Sequence, residues 1–124
     1  MLSGKTDKMK ENVIIEKSFE FAVRITNLNK YIRQNHKEYV LSKQILRSGT
    51  SIGANVSEAQ RAQSKADFTA KMSIALKEAY ETEYWLRLLY RTEFITEKEF
   101  ESIEKDVLEL ISILISICKT ASTR

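Results

Sequence analysis

Proline is absent from the 124 residues, and glycine occurs only three times. A globular β protein needs more turn-formers than this, so the shortage favours a few long helices joined by short polar links. The single cysteine, Cys118, excludes an intrachain disulfide and fits a reducing compartment. The single histidine, His36, leaves little material for a metal centre or an imidazole base. Residues 1–12 are mostly polar and charged, without the apolar core of a secretion signal. The apolar run at 107–118 is too short to span a bilayer and is interrupted by Glu109. These shortages lead to the expectation of a soluble cytoplasmic protein with no membrane partner.

Charge of either sign is not in excess: 20 Lys/Arg against 17 Asp/Glu give a net charge of +3. The distribution is uneven, however. Residues 1–62 carry 11 basic and 6 acidic side chains, whereas residues 63–124 carry 9 and 11. A basic half can serve an anionic partner such as RNA, and it can equally be a solvated helical surface. The cations placed to form an RNA-binding surface are Lys17, Arg24, Lys30, Arg33, Lys37 and Lys43. The test is whether they make one exposed stripe.

Four amphipathic segments are legible, with no internal linker, and the length suits one domain. Residues 1–10 read as a flexible N-terminal segment and residues 11–120 as an all-α bundle. Its helices are expected at about 11–33, 38–62, 65–91 and 97–120. In the first, Ile14, Phe21, Ile25, Leu28 and Ile32 form the apolar series, with Ser18 filling one slot. Asn35 and Glu38 are candidate caps for the second helix. That helix uses Leu41, Ile45, Ile52, Val56 and Ala59, with Ser48 where another bulky residue is due.

The third helix presents Phe68, Met72, Ala75, Ala79, Leu86 and Leu89, and Ser64 with Asp67 can cap its start. The fourth has the clearest beginning, a Thr96/Glu99 capping box flanked by an Ile95/Phe100 staple. It continues through Ile103, Val107, Leu110, Leu114 and Ile117. Leu108, Ile111, Ile113 and Ile115 add apolar surface on further faces of the same helix. Burying each such side chain is worth roughly 1.5–3 kcal/mol, so an oligomer interface at these four residues is expected.

Residues 47–60 are the unusual stretch. Gly49 and Gly53 sit inside a helix, where each costs about 1 kcal/mol relative to alanine. They share a face with Ser57, and the compensation expected is a close helix crossing. The alanine-rich face of the third helix is the natural partner, making that pair the tightest contact. Arg47, Asn55 and Glu58 are expected to be its polar locks.

Catalytic patterns are missing. Glu58, Glu78 and Glu81 could form a carboxylate metal site, but that chemistry normally brings Glu-x-x-His motifs from two helices. An ion pair with Arg47 or Lys77 is the better expectation for these carboxylates. No serine elbow and no phosphate-cradling loop is present. Trp85, Tyr80, Tyr84 and Tyr90 could stack on bases, but at helical spacing they read better as packing anchors. No enzyme, metal or cofactor is expected.

Two runs carry a family resemblance: Arg47-Ser-Gly-Thr-Ser-Ile-Gly-Ala-Asn-Val-Ser-Glu-Ala, and Ala75-Leu-Lys-Glu-Ala-Tyr-Glu-Thr-Glu-Tyr-Trp-Leu. Over about residues 12–116 the chain resembles bacterial four-helix-bundle proteins of the 23S rRNA intervening-sequence family, also labelled ribosomal-protein-like. It also looks similar to the accessory proteins of diversity-generating retroelements. The resemblance implies an up-and-down, left-handed four-helix bundle, a cyclic homopentamer, and RNA or a ribonucleoprotein as partner. The alternative is a protein–protein scaffold. The matching motif residues are Arg47, Ser51, Asn55, Glu58, Lys77, Glu78, Glu81 and Trp85, with Gly49 and Gly53 between them, all expected to be structural.

Overall fold

The computed structural model describes residues 2–122, with side chains from residue 8 onward. Four helices follow one another: α1 (Leu2–His36), α2 (Val40–Ala59), α3 (Lys65–Arg91) and α4 (Glu97–Ser122). No strand occurs among the described residues. Each helix packs on its chain neighbour, and α1 closes the ring onto α4, while neither diagonal pair brings its backbones close. The cross-section is therefore a square.

The start of α1 differs from expectation. Residues 2–10, expected to be flexible, lie in the helix. Polarity alone does not end a helix: lysine and methionine are good helix formers, and extending a formed helix avoids the cost of nucleation. The added turns reach α4, where Lys10 Nζ donates to Ser116 Oγ at 2.7 Å.

At the next connection Lys37 adopts a left-handed φ of 53°. Glu38, not Asn35, then caps α2. Its carboxylate accepts from the N–H groups of Val40, Leu41 and Ser42 at 2.9–3.1 Å. Asn35 Nδ2 donates instead to the Tyr31 carbonyl of its own helix. The α2 helix stops at Ala59, before residue 62, because its end tightens into three-residue turns at Gln60, Arg61 and Ala62.

The remaining starts follow their sequence signals. Ser64 Oγ accepts from Asp67 N at 3.0 Å. Thr96 and Glu99 exchange both bonds of the capping box, at 2.8 and 3.1 Å. Each satisfied cap is worth about 1 kcal/mol.

The core contains the apolar series of all four helices, with Ile14, Ile25, Ile45, Ile52, Met72, Leu86 and Leu114 fully enclosed. Ile111, expected at an oligomer interface, is buried at 7% exposure, and Ile113 is half-buried against the core. The wide apolar arc of α4 is thus partly used within the bundle, because α4 is flanked by both α1 and α3. Leu108 and Ile115 remain outside, at 48% and 44% exposure.

The glycine seam faces a different helix from the one expected. A Cβ on Gly49 would lie 2.7 Å from Ile25 Cγ2, and one on Gly53 would lie 3.2 Å from the Ser18 carbonyl oxygen. Both neighbours are on α1. The α2–α3 contact is the most extensive between helices, but the closest backbone approach that requires glycine is α2 to α1. Helical periodicity identifies an inward stripe without saying which neighbour flanks each edge.

Gly49→Ala should therefore lower stability despite a helix-propensity gain of about 1 kcal/mol, since overpacking an enclosed site costs about 1–3 kcal/mol. Urea denaturation checks this: the Gly49→Ala midpoint should fall, and the Gly49→Ala/Ile25→Val double variant should recover part of the loss. A higher midpoint for Gly49→Ala would contradict the close-packing account.

Candidate functional site

The family-like motif residues gather along the α2–α3 seam. Arg47 is placed by α2 to reach two carboxylates one turn apart on α3. Its Nη1 donates to Glu78 Oε1 at 3.2 Å, and its Nη2 pairs with Glu81 Oε2. Glu81 Oε2 also accepts from the Trp85 indole Nε1–H at 3.1 Å, four residues along the same helix. The indole bond, followed by the Arg47 pairing and the positive charges of Arg47 and Lys77, holds the Glu81 carboxyl below its ordinary 4.5, against the opposing effect of burial. Lys77 itself is exposed and acts on Glu81 only through space.

Inside this surface clasp lies a buried polar bridge. The Thr82 and Ser48 hydroxyls are 2.9 Å apart and both fully enclosed. Thr82 also bonds the Glu78 carbonyl at 2.7 Å, so its proton serves the carbonyl and its lone pairs remain for the Ser48 proton. Sequence reasoning marked Ser48 as a vacancy but did not find Thr82. The available signal was that 79, 82 and 86 follow the inward spacing of α3.

The other motif residues divide. Glu58 reaches Lys71 across the seam at 3.3 Å, so it is a lock whose partner was not anticipated. Asn55 is not a lock: its Nδ2 donates to the Ser51 carbonyl one turn back. Ser51 in turn bonds the Arg47 carbonyl. These short polar side chains satisfy their own helix instead of crossing to α3.

Glu78 and Glu81 are bound to Arg47 and Glu58 to Lys71, which leaves them apart. Among the described residues, no group of three or more His, Cys, Asp or Glu could hold a metal ion. Burial pushes the Cys118 thiol above its ordinary value, more than its contact with Ser73 lowers it, so the thiolate is disfavoured. His36 makes edge-on contacts with Tyr31 and Phe94 at the end of the bundle.

The six basic residues expected to bind RNA do not form one stripe. Lys17 pairs with Glu109 at 3.2 Å, and Arg24 with Asp106 at 2.7 Å and with Ser102 Oγ at 2.7 Å. The fourth helix thus partly neutralises these two. Its acidic flank carries no instruction about its partner until the bundle order is known. Arg33 lies over the Tyr39 ring at 4.8 Å, while Lys30, Lys37 and Lys43 are exposed near the α1–α2 connection.

Residues 10–116 match the 23S rRNA-intervening sequence protein family. The chain belongs to that family. A crystal structure of a family relative, a protein of unknown function from the S23 ribosomal protein family of Bacteroides thetaiotaomicron, is similar at 63% identity with a TM-score of 0.88. The likeness covers 89% of this chain and 98% of the other. None of the curated proteins compared matches. The expected family and its four-helix architecture are thus both present.

Two outcomes test that account. Thr82→Val should cost about 1–3 kcal/mol in urea denaturation by stranding the Ser48 hydroxyl, and adding Ser48→Ala should recover part of it. A depressed carboxyl contributes stability above 4.5 that is lost as pH falls through its lowered folded value. Trp85→Phe should therefore move the Glu81 midpoint upward in a carboxyl NMR titration and flatten the acid limb of stability. An unmoved midpoint would remove the indole from this role.

Proposed function

We propose that this chain is a non-catalytic assembly unit: an up-and-down, left-handed bundle that associates with copies of itself and acts as a protein scaffold in the cytoplasm. The observation that carries the reading is the apolar surface left outside the core. Phe19 is 69% exposed, and Tyr80, Tyr84, Leu108 and Ile115 are all exposed by more than two-fifths. Several such groups concentrated on two faces of a small bundle are unfavourable in water unless covered. The motif residues support the same reading, since Arg47, Glu58, Glu78 and Glu81 are engaged between α2 and α3 and Ser51 and Asn55 within α2. A cyclic oligomer, a pentamer in this proposal, would cover the exposed groups.

RNA or a ribonucleoprotein is the second reading, favoured by one observation. Exposed Lys30, Arg33, Lys37 and Lys43 cluster towards one end of the bundle, with the half-exposed rings of Tyr31 and Tyr39 among them. Cations interleaved with aromatics suit a single-stranded or looped RNA.

Sedimentation equilibrium and filter binding to structured rRNA fragments test the pair of readings. The scaffold reading expects an oligomer at micromolar concentration and no salt-dependent RNA retention. Retention that weakens steeply with salt, and is lost in Lys30→Glu/Lys37→Glu/Lys43→Glu, would favour RNA. A monomer without RNA retention would overturn both.

A further inference from the structure

The four seams of the square are fastened unequally. The α1–α2 seam has the glycine approach and the buried bond from Asn29 to the Ser42 carbonyl, and α2–α3 has the enclosed Ser48–Thr82 bridge. On α3–α4 the Tyr90 and Phe100 rings stack at 4.8 Å beside the short 92–96 connection. The α1–α4 seam joins the first and last helices, which no connection links, and their backbones meet least extensively. A cleft of about 260 Å³ lies along it, with Phe21 and Leu110 among its lining.

A polar ladder spans this seam. Lys10, Lys17 and Arg24 stand seven residues apart on α1, and Ser116, Glu109 and Ser102 stand seven apart on α4. Seven residues are close to two helical turns, so antiparallel helices keep each pair opposite. Lys10 Nζ donates to Ser116 Oγ at 2.7 Å, Lys17 Nζ to Glu109 Oε1 at 3.2 Å, and Arg24 Nη2 to Ser102 Oγ at 2.7 Å. Arg24 Nη1 adds Asp106 at 2.7 Å. The ion-pair rungs are wet: the side chains of Lys17, Arg24, Asp106 and Glu109 are 39–50% exposed. Pairs of this kind are individually weak and are screened by salt. Glu20 lines the same cleft, three residues after Lys17 and four before Arg24, so both cations keep a carboxylate neighbour when they leave α4.

We propose that the α1–α4 seam is a salt-sensitive gate, at which the two helices part and expose Phe21 and Leu110 while the other three seams stay closed. The ladder is its latch. Breaking the ion-pair rungs returns groups to water that already touch it, whereas parting α2 from α3 would unpair two enclosed hydroxyls. Local opening follows the edge where least is lost, and ionic strength sets how often it occurs. The gate is independent of both partners considered above.

Thiol labelling reads the gate. In a Cys118→Ser background, Leu110→Cys reports on the α1–α4 cleft, and Ser48→Cys reports on the enclosed α2–α3 seam. At low salt, Arg24→Ala should speed labelling of Leu110→Cys by about two- to five-fold, the range of one exposed pair, and leave labelling of Ser48→Cys unchanged. At about 1 M salt that difference should shrink towards nothing, because the latch is already screened. If Leu110→Cys fails to fold, Val107→Cys, also enclosed on α4, replaces it. Equal acceleration at both reporters would mean that Arg24 guards the whole fold. No acceleration at either would mean that the ladder latches nothing. Each of these two results overturns the gate.

Discussion

The close approach of α2 to α1 at Gly49 and Gly53 is the constraint on which the rest of the bundle depends. Ile25 occupies the space where a side chain on Gly49 would stand, and a Cβ on Gly53 would lie closer to the Ser18 backbone than ordinary van der Waals contact. With that separation set, the buried Asn29 amide can reach the Ser42 carbonyl at 2.7 Å, which fastens the same helix pair nearer the α1–α2 connection. The helix-propensity cost of two glycines is offset by dense contact, since many small dispersion gains depend on short distances.

The opposite flank of α2 is held by different physics. Its contact with α3 combines an enclosed hydroxyl bridge, Ser48 to Thr82, with an outer clasp of Arg47, Glu78, Glu81 and Trp85. Exposed ion pairs contribute little energy, whereas an unpaired enclosed hydroxyl is costly, so the bridge sets the register and the clasp covers it. Among the described residues, no buried side-chain nitrogen or oxygen lacks a partner. In this chain the family-like motif is therefore legible as two adjoining seams on one helix, glycine towards α1 and polar towards α3.

This division shows what the linear sequence left open. Lys17 and Arg24 looked available in the linear sequence. The carboxylates that pair with them, Glu109 and Asp106, come from the far end of the chain. Ile111 and Ile113 looked surplus to one inward stripe, but α4 is flanked by two helices and buries a wider arc. The same geometry brings α1 beside α2 and α3 beside α4, leaving Phe19 on one face and Tyr80 with Leu108 on the opposite face.

The sequence by itself determined the helix count, the Thr96 and Ser64 starts, the inward series and the family. These are local or periodic properties: a cap acts over three residues and an apolar stripe repeats every three or four. Only the tertiary structure decided which helix the glycines approach, whether a cation is neutralised, and which apolar groups remain outside. Those outcomes depend on the two flanks of each stripe, and a flank acquires a partner only when the helices are arranged around a common core. The unusual glycines announced a close crossing, and the packed bundle assigned it to α1.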